Sequence, residues 1–202
     1  MSSRKHFSLC VLSLALALLS APARADEWRV QIGLSYLNNF DDLVDRYEDN
    51  LDAELRAAGF WVIRDDDTEG LPIGLSIHPY YQYDNGLRLG GGVGPAAIIY
   101  GDVDHFQLPL CLDVGYTLAP SAPTTPYVRT GLSYHVADGD YVEDSKLGFI
   151  AGVGIELFRN KDLAFGVEAA YDSAETEIEI WGTRQTDDIK VAEFSIRGFI
   201  VF

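Results

Sequence analysis

The sequence predicts an all-β fold: a closed, eight-stranded antiparallel transmembrane β-barrel with an amphipathic helix inserted between strands one and two. Three observations predict it. Segments of about ten residues alternate apolar and polar side chains along most of the chain, which puts one set on each face of a strand. The polar set is mostly Gly, Ser, Tyr and isolated charges, a poor coat against water but good filling for a narrow lumen. A soluble barrel would show the reverse, an apolar interior and an outer face dense in Lys, Glu and Thr. Finally, no segment after residue 25 approaches ~18 consecutive apolar residues, which excludes a helical membrane protein.

The elements follow in order. Residues 1–25 read as a secretory signal peptide, with a basic start at Arg4 and Lys5, an apolar run from Leu9 to Leu19, and Ala23-Arg24-Ala25 before Asp26. Cys10 lies in that run without the small-residue context of a lipoprotein cleavage box, which argues against lipidation. Residues 26–202 are expected to form one barrel domain. Strand one sets Trp28, Val30, Ile32, Leu34 and Tyr36 against Arg29, Gln31, Gly33 and Ser35. Strand two sets Ile73, Leu75, Ile77, Pro79 and Tyr81 against Gly74, Ser76, His78, Tyr80 and Gln82. Asp84-Asn85-Gly86 then marks a tight hairpin, because Asn-Gly tolerates positive φ.

Strand three places Leu89, Gly91, Val93, Ala97 and Ile99 on the lipid side and Arg88, Gly90, Gly92 and Gly94 inside. Strand four alternates most cleanly, with Phe106 to Leu118 on even numbers facing out and Gln107, Cys111, Asp113 and Thr117 facing in. Strands five to seven repeat the pattern from Tyr127, Leu147 and Leu163 onward. Pro79, Pro95 and Pro109 remove ladder donors, so bulges or strand ends are expected near them. The eighth strand is read from Val191 to Phe202. Phe194, Ile196, Ile200 and Phe202 face lipid and Glu193, Arg197 and Phe199 face inward.

Short inner turns and longer outer connections (38–70, 101–104, 137–145 and 173–187) give the expected asymmetry. Within the first outer connection, Phe40, Leu43, Val44, Tyr47, Leu51, Leu55 and Ala58 recur at helical spacing among acidic residues, with Gly59 as the stop. Residues 40–58 therefore predict a helix of about five turns. It is expected to act as a lid on the barrel mouth, as the surface through which a partner binds, or as a gate.

Charge sharpens the lumen. Removing residues 1–25 leaves 12 basic residues against 31 acidic ones, a net charge of −19 that repels nucleic acid. Yet the inward positions hold Arg29, Arg88, Arg129 and Arg197 against Asp113, Glu156, Glu168 and Glu193, four of each sign. Buried charges are costly unless paired, so these eight are expected to form a salt-bridged plug. Eight strands enclose little beyond their own side chains, so a wide aqueous pore is not expected. Cys111 is the only cysteine after residue 25, so no internal disulfide is expected. The acidic outer runs Asp65–Glu69, Asp102 with Asp104, and Asp138–Asp144 lack the spacing of a Ca²⁺-binding EF-hand loop.

The terminal strand closing on Phe202 resembles the C-terminal signal of bacterial outer-membrane barrels, which their assembly machinery reads through residues such as Phe194, Ile200 and Phe202. Over Trp28–Phe202, apart from the helical insertion, the chain resembles the small OmpA-, OmpX- and OmpW-like barrels. That resemblance implies an outer-membrane location, contact with membrane lipid and lipopolysaccharide, and either a structural or surface-interaction role or narrow transport of small or hydrophobic solutes. It implies no cofactor. Lipid A deacylases, barrels of similar size, use a His and a Ser two residues apart with an acidic partner. His78-Pro79-Tyr80, His105-Phe106-Gln107 and His135-Val136-Ala137 lack that serine, and Ser133 before His135 faces the lumen. No catalytic, metal-binding or cofactor-binding set is therefore assigned.

Overall fold

The computed structural model describes residues 27–60, 73–99, 105–159, 163–191 and 193–202. The proposed signal peptide, the Asp65–Glu69 run and the Asp102/Asp104 pair lie outside the described residues. The strands are β1 (Glu27–Leu37), β2 (Ile73–Gln82), β3 (Leu87–Val93), β4 (Ala97–Ile99), β5 (His105–Thr117), β6 (Thr124–Gly139), β7 (Val142–Ser145), β8 (Leu147–Leu157), β9 (Ala164–Asp172), β10 (Thr176–Glu179), β11 (Thr186–Ile189) and β12 (Phe194–Val201). One helix, α1 (Phe40–Ala57), follows β1.

Neighbouring strands pair in the order β3-β2-β1-β12-β9-β8-β6-β5-β4, and β3 also pairs with β5, which closes the sheet on itself. β3 and β4 are two halves of one wall strand, so the barrel has eight antiparallel strands. The β3–β5 ladder closes the wall into a ring, the condition for crossing a bilayer with strands, while β4 is paired on its β5 side only among the described residues. No helix among the described residues is long and apolar enough to cross a membrane. The outer wall carries Leu34, Leu75, Leu112, Val128, Val153 and Ile196, all exposed to the surroundings, while their sequence neighbours point inward.

The wall is irregular at one place. Val93 stands opposite Leu110 but Ala97 stands opposite Gln107, so residues 94–96 face only 108 and 109. This one-residue bulge inverts the faces beyond it. Ala97 is 3% exposed and Ile98 58%, which corrects the expectation that Ala97 and Ile99 face lipid. Proline explains the position. A strand residue's N–H and C=O project toward the same neighbour, and the Pro109 carbonyl accepts from Gly94 N–H at 2.7 Å. The donors missing at Pro95 and Pro109 thus fall together at the bulge. β5 itself runs unbroken through Pro109, and Pro79 keeps its place opposite Val30.

The outer connections are more ordered than the sequence suggests. β7, β10 and β11 form a separate three-stranded sheet over the mouth. Helix α1 lies on it, ending in paired bonds from Gly59 N–H to Arg56 C=O and from Phe60 N–H to Leu55 C=O, with Gly59 at φ +87°. Its buried side chains are Phe40, Leu43, Val44, Tyr47 and Asn50. Leu51 and Leu55 are only partly covered and Ala58 is exposed, so the predicted stripe is buried along its first half only. Asn50, absent from the predicted stripe, donates to Glu179 C=O and accepts from Trp181 N–H, which ties the helix to the β10–β11 hairpin. Phe40, Leu43, Val44 and Tyr47 join Leu37, Ala97, Ile178, Ile189 and Val191 in one apolar cluster at the mouth.

Candidate functional site in the barrel lumen

The inward face of each strand supplies the lumen, and the strand register decides who meets whom. Arg129 on β6 forks onto Glu168 of β9, with Nε 2.9 Å and Nη2 2.8 Å from the two carboxylate oxygens. Its Nη1 reaches Asp113 of β5 at 3.1 Å. Arg197 of β12 adds a contact of 3.1 Å to Glu168 and donates to Gln31 at 2.6 Å. Below them Arg88 of β3 sits between two rings, 3.7 Å from the Tyr80 centroid and 4.1 Å from that of Tyr127, and 3.1 Å from Glu156. Those tyrosines then donate to the carboxylates, Tyr80 to Glu156 at 2.9 Å and Tyr127 to Glu168 at 2.7 Å. Such charge-assisted bonds between buried groups are strong, and each carboxylate is met from several sides.

Glycines make this packing possible. A Cβ at Gly154 would meet the Tyr127 ring at 2.5 Å, and one at Gly166 would meet the Phe199 ring at 2.2 Å. The floor is closed by Arg159, just after β8, which donates to Gln82 at 2.6 Å and approaches Glu156 at 3.5 Å.

Six of the eight lumenal charges expected from sequence meet in this network: Arg88, Arg129, Arg197, Asp113, Glu156 and Glu168. The other two do not. Arg29 pairs with Glu27, two residues away at the end of β1. Glu193 precedes β12 and lies 3.8 Å from Lys190, because the terminal strand begins at Phe194 rather than at Val191. Gln31, Tyr80 and Tyr127 are inward by strand parity but carry no formal charge, so a count of lumenal charges passes over them, and His78, weighed in the sequence only for a serine partner, joins them. Arg159 had no such signal, since it lies beyond the alternating segment.

Above the network lies a cavity of about 50 Å³, lined by Ser76, His78, Cys111, Arg129, Ser133 and Asp172 among others. Ser133 donates to Asp172 Oδ2 at 2.6 Å, and His135 Nε2 lies 3.2 Å from the same oxygen. Gln107 Nε2 is 2.7 Å from His135 Nδ1, which makes Nδ1 the acceptor and puts the ring proton on Nε2, toward Asp172. Serine and histidine thus converge on one carboxylate instead of on each other. In that arrangement His135 does not accept the Ser133 proton, so the trio lacks the nucleophile–base contact that acyl transfer needs.

The mouth above is sealed by α1. Tyr47 bonds to His105 Nδ1 at 2.8 Å and to the Asp140 carbonyl, and its ring packs edge-on against His105 and Tyr141. Burial, with the nearby Asp140, raises the Tyr47 phenol above its ordinary range and keeps it neutral.

Residues 11–197 match the family model described as outer membrane protein beta-barrel domain. The chain belongs to this family. As an outer membrane beta-barrel protein it resides in the outer membrane, and its exposed apolar wall is the lipid face. Two solved barrels share the fold. OprG of Pseudomonas aeruginosa has 13% identity and a TM-score of 0.52, over 88% of this chain and 95% of that one. Outer membrane protein W of E. coli has 14% identity and a TM-score of 0.51, over 90% of this chain and 99% of its own. No protein with a curated description matches the chain in sequence.

Proposed function

We propose that this outer-membrane barrel is closed along its axis and acts at the cell surface through its cap, in a structural or surface-interaction role. The observation that carries this reading is the burial of Phe40, Leu43, Val44 and Tyr47 of α1 in the barrel's own mouth, above a lumen filled by ion pairs. The first half of the helix therefore has no free apolar face for a partner, and of the predicted stripe only Leu51, Leu55 and Ala58 stay partly or fully uncovered. What it turns outward is acidic, with Asp41, Asp42, Asp45 and Asp49 exposed. That surface suits cationic partners, or lipopolysaccharide phosphates bridged by divalent cations. Residues 1–25 serve as the export signal in this reading. Phe194 and Ile200 on the lipid face of β12, with the exposed Phe202 just after it, are what the assembly machinery reads in this proposal.

Liposome swelling with the purified protein tests it. Sealed proteoliposomes should show no sugar flux, and rapid swelling would remove the closed-barrel reading. A second reading, passage of small or hydrophobic solutes, draws support from the cavity beside the Gly94–Pro95 bulge. It requires solute flux that disappears when the bulge is regularised by deleting Ala96.

A further inference from the structure

We propose that His78, Cys111 and Asp113 form a lumenal binding site for a zinc-class divalent transition metal ion, with a fourth coordination position open to the cavity. This goes beyond the surface role and does not depend on it.

One ligand atom from each residue lies within 4.8 Å of the others. A tetrahedral centre with bonds of about 2.0–2.3 Å holds its ligand atoms on the order of 3.5 Å apart. The observed separations bracket that value, 2.6 Å from His78 Nε2 to Asp113 Oδ2 and 3.8 Å from Cys111 Sγ to the same oxygen. Small side-chain rotations bring all three to bonding distance of one point. Imidazole nitrogen, thiolate sulfur and carboxylate oxygen together suit zinc or cobalt(II) and are poorly matched to calcium or magnesium, which take oxygen ligands.

The sequence builds this cluster across an intervening strand. His78 is on β2 and the other two on β5, while β3 between them offers Gly90 opposite Asp113 and Gly92 opposite Cys111. A Cβ at Gly90 would lie 3.0 Å from His78 Cε1, so the imidazole occupies the space a side chain would take. His78 and Cys111 both line the cavity, which leaves room for a fourth ligand such as water.

Arg129 needs an account, because a guanidinium beside a cation is unfavourable. Its charge is already engaged by the two-pronged contact with Glu168. Its Nη1 sits on Asp113 Oδ2, the place of an outer partner that fixes a carboxylate ligand. On binding, the Cys111 thiol proton leaves to solvent. The His78 proton moves from Nε2 to Nδ1, a buried nitrogen with no partner among the described residues. Thiolate and Asp113 carboxylate then balance the two charges of the ion.

The test uses the full chain carrying Cys10→Ser, so that Cys111 is the single thiol, refolded in lipid with and without cobalt(II). The expected result is one ion per chain, a thiolate-to-cobalt charge-transfer absorption, release of one proton, and displacement by zinc. Cys111→Ser should abolish the absorption. His78→Gln and Gly90→Ala should weaken binding by at least tenfold while heat-modifiable gel migration reports an intact barrel. Absence of the thiolate absorption in the parent protein overturns the proposal whatever the variants do. Equal cobalt retention by Cys111→Ser and His78→Gln overturns it too, because the ion would then reside on the acidic cap.

Discussion

Replacing Glu168 by glutamine should be the most damaging change of similar size in the lumen. The carboxylate is 1% exposed and receives Arg129 through two atoms, Arg197 at 3.1 Å and Tyr127 at 2.7 Å. An amide keeps the volume and removes the charge. Arg129 still has Asp113, but Arg197 is left with the neutral Gln31. Stranding a buried cation costs about 3–5 kcal/mol. That is a large share of the ~5–15 kcal/mol that holds an ordinary domain folded. Guanidinium unfolding in lipid vesicles, followed by tryptophan fluorescence, measures it as a fall in midpoint at unchanged slope. The diagnostic variant is the double change with Arg197→Met, which removes the stranded charge and should recover about 1–2 kcal/mol. A Glu168→Gln cost under about 1 kcal/mol, or strict additivity in the double variant, would refute the account of the lumen as a coupled ion-pair network.

Four further outcomes follow from the geometry. Leu110→Arg, on the lipid face near the middle of β5, should cost about 2–4 kcal/mol in the same titration, and wild-type stability would invert the face assignment. Beyond the bulge, Ile98→Arg should carry a lipid penalty of that kind while Ile99→Arg carries less, a difference that regular alternation from Val93 does not give. Tyr47 couples the cap to pH. Because its folded phenol pKa is raised, chiefly by burial, its stabilisation is full below the unfolded value of about 10 and declines as pH rises through the folded value. Trp181 fluorescence in a Trp28→Phe, Trp61→Phe background should report cap opening in that alkaline window, and Tyr47→Phe should reduce the dependence to the part carried by Tyr141, whose phenol is raised by burial and by Glu54. Deleting residues 40–58 should leave the barrel's circular dichroism strand signal and heat-modifiable migration intact, and loss of both would make α1 part of the core fold.

Parity made most of the wall legible. Once Leu112, Val114 and Tyr116 are assigned to lipid, every neighbour is assigned to the lumen without further information, and strand closure does the rest. Parity also explains the failures. It cannot count the extra residue at 94–96, so it puts Ala97 and Ile99 on the lipid face that Ile98 occupies. It assigns a face but neither a strand end nor a partner, so it groups Glu193, which precedes β12, and Arg29, which stands beside Tyr80 but turns to Glu27, with the charges that pair in the lumen. The cap was least legible because β7, β10 and β11 have only four residues each. Alternation over four residues is too short a signal, and Val142, Ile178 and Ile189 show their common purpose only once the mouth brings them together.

The two halves of the molecule are held by different forces, and that difference argues for where it can respond. The barrel rests on closed ladders and on ion pairs withdrawn from water, which salt screens weakly. The cap's ion pairs are surface contacts: Arg46 with Asp187, and Lys146 with Asp188 and Glu177. Pairs of that kind lie in water, are screened by salt and contribute little. The apolar cluster around Leu43 and Ile178 must then supply most of the cap's hold, and it is small beside the barrel. Segments with few buried contacts open first. The cap should accordingly open at a lower denaturant concentration than the barrel, and added salt should shift that first transition only slightly. Truncating Leu43 to alanine should lower it by about 2–5 kcal/mol and leave the second transition in place. A single transition in which cap and barrel unfold together would mean that the mouth and the lumen are one cooperative unit, joined through Thr176–Gln107 and Tyr47–His105.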